Sequence, residues 1–231
     1  MSTTTTDLRE HLAIALDTDD LVEARRIVRD VKQWFGVAKV GLELYSAEGP
    51  AAVAAMLDEG LRVFLDMKLH DIPTTVGRAA RVLGSLGVSY LTLHAMGGAA
   101  MLRAGVDGLR EGASRAEVDE PIGLAVTILT SDADAPPHIL GKRVAAAIEG
   151  GCGGIVCAAL DVQEAKRIAP RLVTVVPGIR PQGEDVHDQV RAATPEDALA
   201  AGADLLVVGR AVTAARDRAE AARALSANLR Q

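Results

Sequence analysis

The chain has 231 residues with 25 Lys plus Arg against 31 Asp plus Glu, a formal net charge of -6; the lack of a basic surplus argues against nucleic-acid binding, and an aromatic fraction of 2% leaves little for stacking bases. An apolar content of 49% with 24% charged residues fits a packed core rather than a disordered chain. No apolar run approaches the roughly 18 residues that mark a membrane span, and the Thr-rich start lacks the basic and then apolar pattern of a secretory signal, so the expected compartment is the cytoplasm.

Short apolar, β-branched runs alternate with longer Ala-, Arg- and Glu-rich stretches. Residues 1–10 read as a flexible tail. A strand is expected over 11–17 and a helix over 20–32, with Leu21, Ala24, Ile27, Val28 and Val31 on one face. Strands at 37–41, 62–69 and 88–94 each lead to a helix, at 51–59, 73–86 and 99–110. The rhythm continues with strands at 122–129, 155–158 and 172–176 and helices at 141–149, 162–168 and 195–201, the last reached through a long loop bearing Gly and Pro. A strand at 205–208 and a helix at 211–229 close the chain.

Eight strand–helix units without a linker-like break predict one α/β domain over 1–231, a single-domain (β/α)8 TIM barrel, compact against the ~250 residues typical of that fold. A doubly wound open sheet would favour a Gly-x-Gly-x-x-Gly turn after the first strand. Here that turn reads Asp17-Thr18-Asp19-Asp20.

Charges inside a strand covered on both faces are costly unless they serve a site. Over 62–70, side-chain alternation puts Leu65, Met67 and Leu69 on one face and Asp66, Lys68 and His70 on the other. The apolar set is expected to meet the helices. The charged set should point into the barrel at the carboxyl end, where barrel enzymes place their chemistry. A structural ion pair is the plainer explanation for Asp66 and Lys68, but a carboxylate and an ammonium sharing a barrel mouth favour a site. Asp71 suits both chemistry and an N-cap for the helix opening near Pro73, and His70 reads as a packed or orienting imidazole rather than a ligand.

Lys39, within Val37-Ala38-Lys39-Val40, is misplaced for a surface lysine. Asp17, His94 (with Thr92 on its face) and Thr130 end strands at the same rim. The seventh and eighth strands end in Val176-Pro177-Gly178-Ile179-Arg180 and Val208-Gly209-Arg210. Glycine lets a backbone approach a ligand closely and arginine offers a planar fork of donors, so these two loops predict a phosphate grip. Cys152 and Cys157 have neither zinc-site spacing nor disulfide-scaffold density and read as small buried hydrophobes.

The run Asp66-Met67-Lys68-Leu69-His70-Asp71-Ile72-Pro73-Thr74-Thr75 resembles the Asp-x-Lys-x-x-Asp-Ile-Pro signature of the orotidine 5′-monophosphate decarboxylase family. The likeness continues in Lys39-Val40-Gly41, His94-Ala95, Leu129-Thr130-Ser131 and both Arg-bearing loops, and so spans the whole barrel. It implies decarboxylation of orotidine 5′-monophosphate to uridine 5′-monophosphate, the last step of de novo UMP biosynthesis, with no cofactor and no metal. By the same likeness Lys68 is the proton donor, Asp66 its partner carboxylate, and Lys39 the link from Asp66 to the ribosyl hydroxyls. Asp17 is another sugar or base contact, and Thr130 lies at the pyrimidine edge. Asp71, with Ile72 and Thr75, is lent across a homodimer interface to the neighbouring subunit. Arg180, Gln189, Gly209 and Arg210 match the phosphate-gripping set. The chain departs from the family pattern at Val186 and His187, where relatives more often have Gly, and at Met96, where a smaller residue is usual.

No pyridoxal, thiamine or metal signature offers an electron sink. The resemblance therefore implies electrostatic stabilisation from Lys39, Asp66, Lys68 and a neighbour's Asp71, alternating in sign and in place before the bond breaks. Two rivals stand beside it. A metal-dependent sugar-phosphate decarboxylase or aldolase shares Asp-x-Lys-x-x-Asp but carries a carboxylate ligand where Lys39 stands, and a protonated lysine cannot hold Mg²⁺. A non-catalytic nucleotide-binding barrel could keep Arg180 and Arg210 yet lose the interior charges, whereas this sequence keeps both sets.

Overall fold

In a computed structural model, which describes residues 7–132, 135–136, 138–180 and 193–229, eight parallel strands close into a barrel in chain order. They are β1 (Leu12–Leu16), β2 (Val37–Val40), β3 (Arg62–Leu69), β4 (Tyr90–His94), β5 (Ile122–Val126), β6 (Gly154–Val156), β7 (Val173–Ile179) and β8 (Leu205–Val208). Closure is made by β8 on β1, with Leu12 opposite Leu206 and Ile14 opposite Val208. Around the sheet run α1 (Leu21–Val31), α2 (Leu42–Glu48), α3 (Pro50–Asp58), α4 (Pro73–Gly84) and α5 (Gly98–Ala116). They are followed by α6 (His138–Glu149), α7 (Val162–Ile168), α8 (Pro195–Ala200), α9 (Arg210–Thr213) and α10 (Arg218–Asn228). The described residues form the single TIM-barrel domain that the sequence predicts. Among them, no helix is long and apolar enough to cross a membrane.

Period-two alternation sorts the strand residues into two cores. Ala13, Ala15, Val37, Phe64, Tyr90, Leu124, Val175 and Leu205 fill the barrel interior. Leu12, Ile14, Leu16, Val63, Leu65, Leu91 and Leu93 face outward into the larger layer shared with the helices. Helix α1 buries Ala24, Ile27, Val28 and Val31, and Asp20 caps it by accepting from the Val22 and Glu23 amides.

Helices α4 and α5 meet backbone to backbone. A Cβ at Gly108 would lie 2.1 Å from the Gly77 carbonyl oxygen, and one at Gly112 would lie 2.0 Å from that of Arg81. This close approach fixes α4, whose N-terminal end carries the segment from Asp71 to Thr75.

Several expected boundaries differ. β5 stops at Val126 rather than 129, where its partner β6 also ends: Val126 pairs with Val156, and the Thr127 amide (3.0 Å) and hydroxyl (2.8 Å) both donate to the Val156 carbonyl. β7 runs three residues further, through Ile179, and α2 occupies a stretch for which no element was expected. The closing helix is two helices: Asp217 caps α10 through the Glu220 amide, and Arg218 Nε holds the Thr213 carbonyl at 3.0 Å. Of the expected tail, residues 1–6 lie outside the described residues. Leu8–His11 forms a 3-10 turn tied to the barrel, with the Gly36 amide donating to the Arg9 carbonyl at 2.7 Å.

Candidate active site

A cavity of about 450 Å³ opens at the carboxyl ends of the strands. Its floor is apolar, made by Ala15, Phe64, Val126, Val156 and Val207. One wall is charged, with Asp17, Lys39, Asp66 and Lys68. Pro177, Gly178, Arg180, Gly209 and Arg210 line the cavity from β7 and from the ends of β7 and β8, and Thr130 lines it from the turn after β5.

The charged wall is built by local departures from regular strand geometry. β3 pairs with β4 through Leu65 opposite Leu91 and next through Leu69 opposite Leu93, so β3 carries two more residues than its partner between those points. Within this bulge Lys68 adopts φ 49, a left-handed conformation uncommon for a residue with a side chain. Its amide, out of the ladder, donates to Thr92 Oγ1 at 2.8 Å, and the Thr92 hydroxyl donates to Asp66 Oδ1 at 3.0 Å. Lys68 Nζ then reaches Asp66 Oδ2 at 2.7 Å. On the other side Lys39, opposite Ala15 on β1 and Phe64 on β3, places its Nζ 2.9 Å from Asp17 Oδ1 and 4.0 Å from Asp66 Oδ2. The result is an unbroken row of alternating sign: Asp17, Lys39, Asp66, Lys68. The Lys39 and Asp66 side chains are only 12% and 14% exposed, so solvent screens this part of the row weakly.

β7 has a matching irregularity. Val176 pairs with Leu206 and Ile179 with Val208, leaving one extra residue on β7, and Gly178 takes φ 78 there. A side chain would strain that conformation, and its absence brings bare backbone to the cavity next to Arg180.

The structure brings eight predicted residues to one cavity: Asp17, Lys39, Asp66, Lys68, Thr130, Arg180, Gly209 and Arg210. Asp71, Ile72 and Thr75 are exposed and do not line the cavity of their own chain. Gln189, with Val186 and His187, lies outside the described residues. Three expectations are corrected. Asp71 does not cap α4: its Oδ1 accepts from the adjacent Ile72 amide at 2.6 Å, and the cap position before Pro73 is Ile72, which makes no side-chain cap. His70 does not join Asp66 and Lys68 inside the barrel, because the bend at Lys68 breaks the alternation; it is exposed and stacks on His94 at 5.4 Å. Thr130 lies four residues beyond the end of β5 rather than at its last position.

His94 stands at the rim but does not line the cavity. Its Nδ1 accepts from the Met96 amide at 3.2 Å, and burial, followed by the nearby His70, Arg143 and Lys68, holds its pKa below the ordinary imidazole value. Cys152 and Cys157 are buried thiols pushed up to about 12 by desolvation, as suits small core residues. The sequence reading missed the role of Thr92, which lies fully buried behind the charged wall, and the apolar floor. Strand alternation was the available signal for the floor. The αL bend that recruits Thr92 leaves no mark in the sequence.

The family described as "Orotidine 5'-phosphate decarboxylase / HUMPS family" matches residues 10–225. An orotidine 5′-phosphate decarboxylase of Anaeromyxobacter sp. (strain K) is 46% identical, with 95% of this chain and 98% of that protein covered. One from Moorella thermoacetica is 42% identical, with 96% and 92% covered. Among solved structures, the crystal structure of orotidine 5′-phosphate decarboxylase from Lactobacillus acidophilus superposes with a TM-score of 0.80 at 31% identity, covering 96% of this chain and 100% of that one. The motifs on β2, β3, β7 and β8 that converge on one cavity are thus embedded in a likeness that runs almost end to end, and the chain belongs to the orotidine 5′-phosphate decarboxylase / HUMPS family.

Proposed function

We propose that this chain converts orotidine 5′-monophosphate to uridine 5′-monophosphate and carbon dioxide without a cofactor, as an enzyme of UMP biosynthesis in the cytoplasm. The observation that carries this reading is the ion row: Lys68 Nζ stands 2.7 Å from Asp66 and Lys39 lies 4.0 Å behind it, over an apolar floor and in the same cavity as Arg180 and Arg210.

Breaking the bond from C6 to the carboxylate releases carbon dioxide and leaves an electron pair on C6, in an orbital that the pyrimidine ring delocalises poorly. Stabilisation must come from charges already oriented. The Lys68 ammonium favours the negative charge developing at C6 and then delivers its proton there, leaving uridylate. Asp66 holds that ammonium, and Lys39 steadies Asp66 while offering donors to the ribosyl hydroxyls. Asp17 holds Lys39 from the far end and contacts the sugar, and Thr130 meets the pyrimidine edge. Arg180, Gly209 and Arg210, with Gln189, grip the phosphate, whose remote binding energy supports the chemical step.

Asp71, Ile72 and Thr75 belong to the cavity of a second copy. Ile72 is 67% exposed in the single chain, and Asp71 and Thr75 beside it are also exposed, as residues lent across a homodimer interface would be. Asp71 from the partner then extends the alternating row.

Purified protein tests the activity through the loss of orotidylate absorbance, with uridylate formed in equal amount, in the presence of a chelator. Turnover unaffected by the chelator is the expected result. Uridylate binding without turnover would instead assign a non-catalytic nucleotide-binding barrel. Activity that requires an added divalent cation would assign the metal-dependent sugar-phosphate chemistry of related barrels.

A further inference from the structure

We infer that Thr92 is a positioning residue for decarboxylation, its single hydroxyl tying the Asp66 carboxylate to the backbone bend that aims Lys68. The inference rests on the reading of Lys68 as proton donor and goes beyond it to what holds Lys68 in place.

Thr92 sits at the centre of β4, is 0% exposed, and does not line the cavity, so it has no direct access to substrate. Its hydroxyl has one proton to give and lone pairs to receive, and both capacities are used on the ion row. The proton goes to Asp66 Oδ1 at 3.0 Å, and the lone pair takes the Lys68 amide at 2.8 Å. The shift of register between Leu65 and Leu69 removes the Lys68 amide from the regular ladder. At φ 49 the amide turns toward β4, where a hydroxyl, rather than a backbone carbonyl, accepts it.

The two oxygens of Asp66 are thereby divided. Oδ1 is held by Thr92 and Oδ2 by Lys68 Nζ at 2.7 Å. The carboxylate cannot rotate toward Lys39 without breaking one of these bonds, and the lysine backbone cannot relax to an extended conformation without losing its acceptor. One buried hydroxyl thus sets the carboxylate plane and the starting direction of the Lys68 side chain together. Displacements of about 1 Å at a reacting group can cost roughly 10²-fold in rate, so this constraint belongs to catalysis as well as to folding.

Thr92→Val keeps the shape and removes the hydroxyl, whereas Thr92→Ser keeps the hydroxyl. The full chain carrying each change is assayed for kcat and KM on orotidylate, affinity for uridylate, and Tm. We expect T92V to lose about 10- to 100-fold in kcat, with KM and uridylate affinity within about 3-fold of wild type. T92S is expected to restore kcat to within about 3-fold of wild type. A T92V protein with wild-type kcat, a T92S protein as impaired as T92V, or a loss confined to KM would each overturn the inference. Should T92V not fold, Thr92→Cys places a weaker donor at the same point. An intermediate kcat with uridylate affinity kept is then expected, and undiminished kcat overturns the inference. Wild-type turnover in the same assay is the separate control on the proposed activity: if it is absent, that reading fails whatever the Thr92 variants do.

Discussion

Lys68 Nζ lies 2.7 Å from Oδ2 of Asp66, two residues earlier on the same strand. Alternation alone brings such a pair to one face; the bulge and the left-handed backbone at Lys68 add the bend that closes the ion pair. Asp66 is mostly buried, and its second oxygen is already taken by Thr92. Asp66→Asn keeps this shape but removes the anion that faces both lysines. Turnover is expected to fall by about 10²- to 10³-fold while uridylate still binds, since the phosphate grip is made by other residues. Near-normal kcat in D66N would detach the ion pair from the chemistry.

Arg210 lines the cavity at the start of α9, beside Gly209. Arg210→Ala is expected to raise KM for orotidylate by roughly 10- to 100-fold, the range of one charge-assisted hydrogen bond. A smaller fall in kcat should accompany it, because phosphate binding energy supports the chemical step. Steady-state kinetics check this, and an unchanged KM contradicts the phosphate role.

Asp71 is exposed and absent from the cavity of its own chain. If it serves a neighbour, Asp71→Ala and Lys68→Ala proteins are each nearly inactive alone. Mixed under conditions that exchange subunits, they form heterodimers in which one of the two sites carries both wild-type residues, and activity returns. Persistent inactivity in a mixture shown to exchange would place Asp71 outside the neighbour's site.

His94 is held below the ordinary imidazole pKa by burial first, and then by His70, Arg143 and Lys68. Between its lowered folded value and about 6.5 the unfolded chain binds more protons than the folded one, so stability rises with pH through that window. The contribution is complete above about 6.5 and is lost as pH falls through the folded value. Protonation would also remove the Nδ1 lone pair that accepts the Met96 amide if the proton lands there. His94→Asn offers an oxygen to that amide without titrating. Tm measured from about pH 5 to 7.5 should therefore fall more steeply on acidification in the wild type than in H94N. Parallel curves would contradict the assignment.

The barrel was legible because its strands are short, covered on both faces and separated by amphipathic helices. The pattern of Ala24, Ile27, Val28 and Val31 reappears as the buried face of α1. Asp66, Lys68 and Lys39 were legible because charges in apolar strands need a compensating environment, and both arginines because each comes shortly after a glycine at the end of a strand, where a phosphate can be gripped. What escaped depends on tertiary pairing. Nothing local marks Lys68 for a left-handed bend, so the alternation was carried through to His70, which the bend turns out of the barrel. Thr92 looked like any β-branched strand residue, since its two partners are 24 and 26 positions away. Asp71 satisfied the local rule for a cap, but its carboxylate took the adjacent amide instead. The break between α9 and α10 depends on Asp217 capping and on Arg218 reaching the Thr213 carbonyl, a contact that helical periodicity does not reveal.

Decarboxylation depends on an ammonium set in place by its surroundings before substrate arrives, and Lys68→Ala tests this most directly. With uridylate affinity measured alongside to establish an intact cavity, K68A is expected to lose at least about 10³-fold in kcat on orotidylate. A K68A protein that binds uridylate and still releases carbon dioxide at a near-normal rate would contradict it.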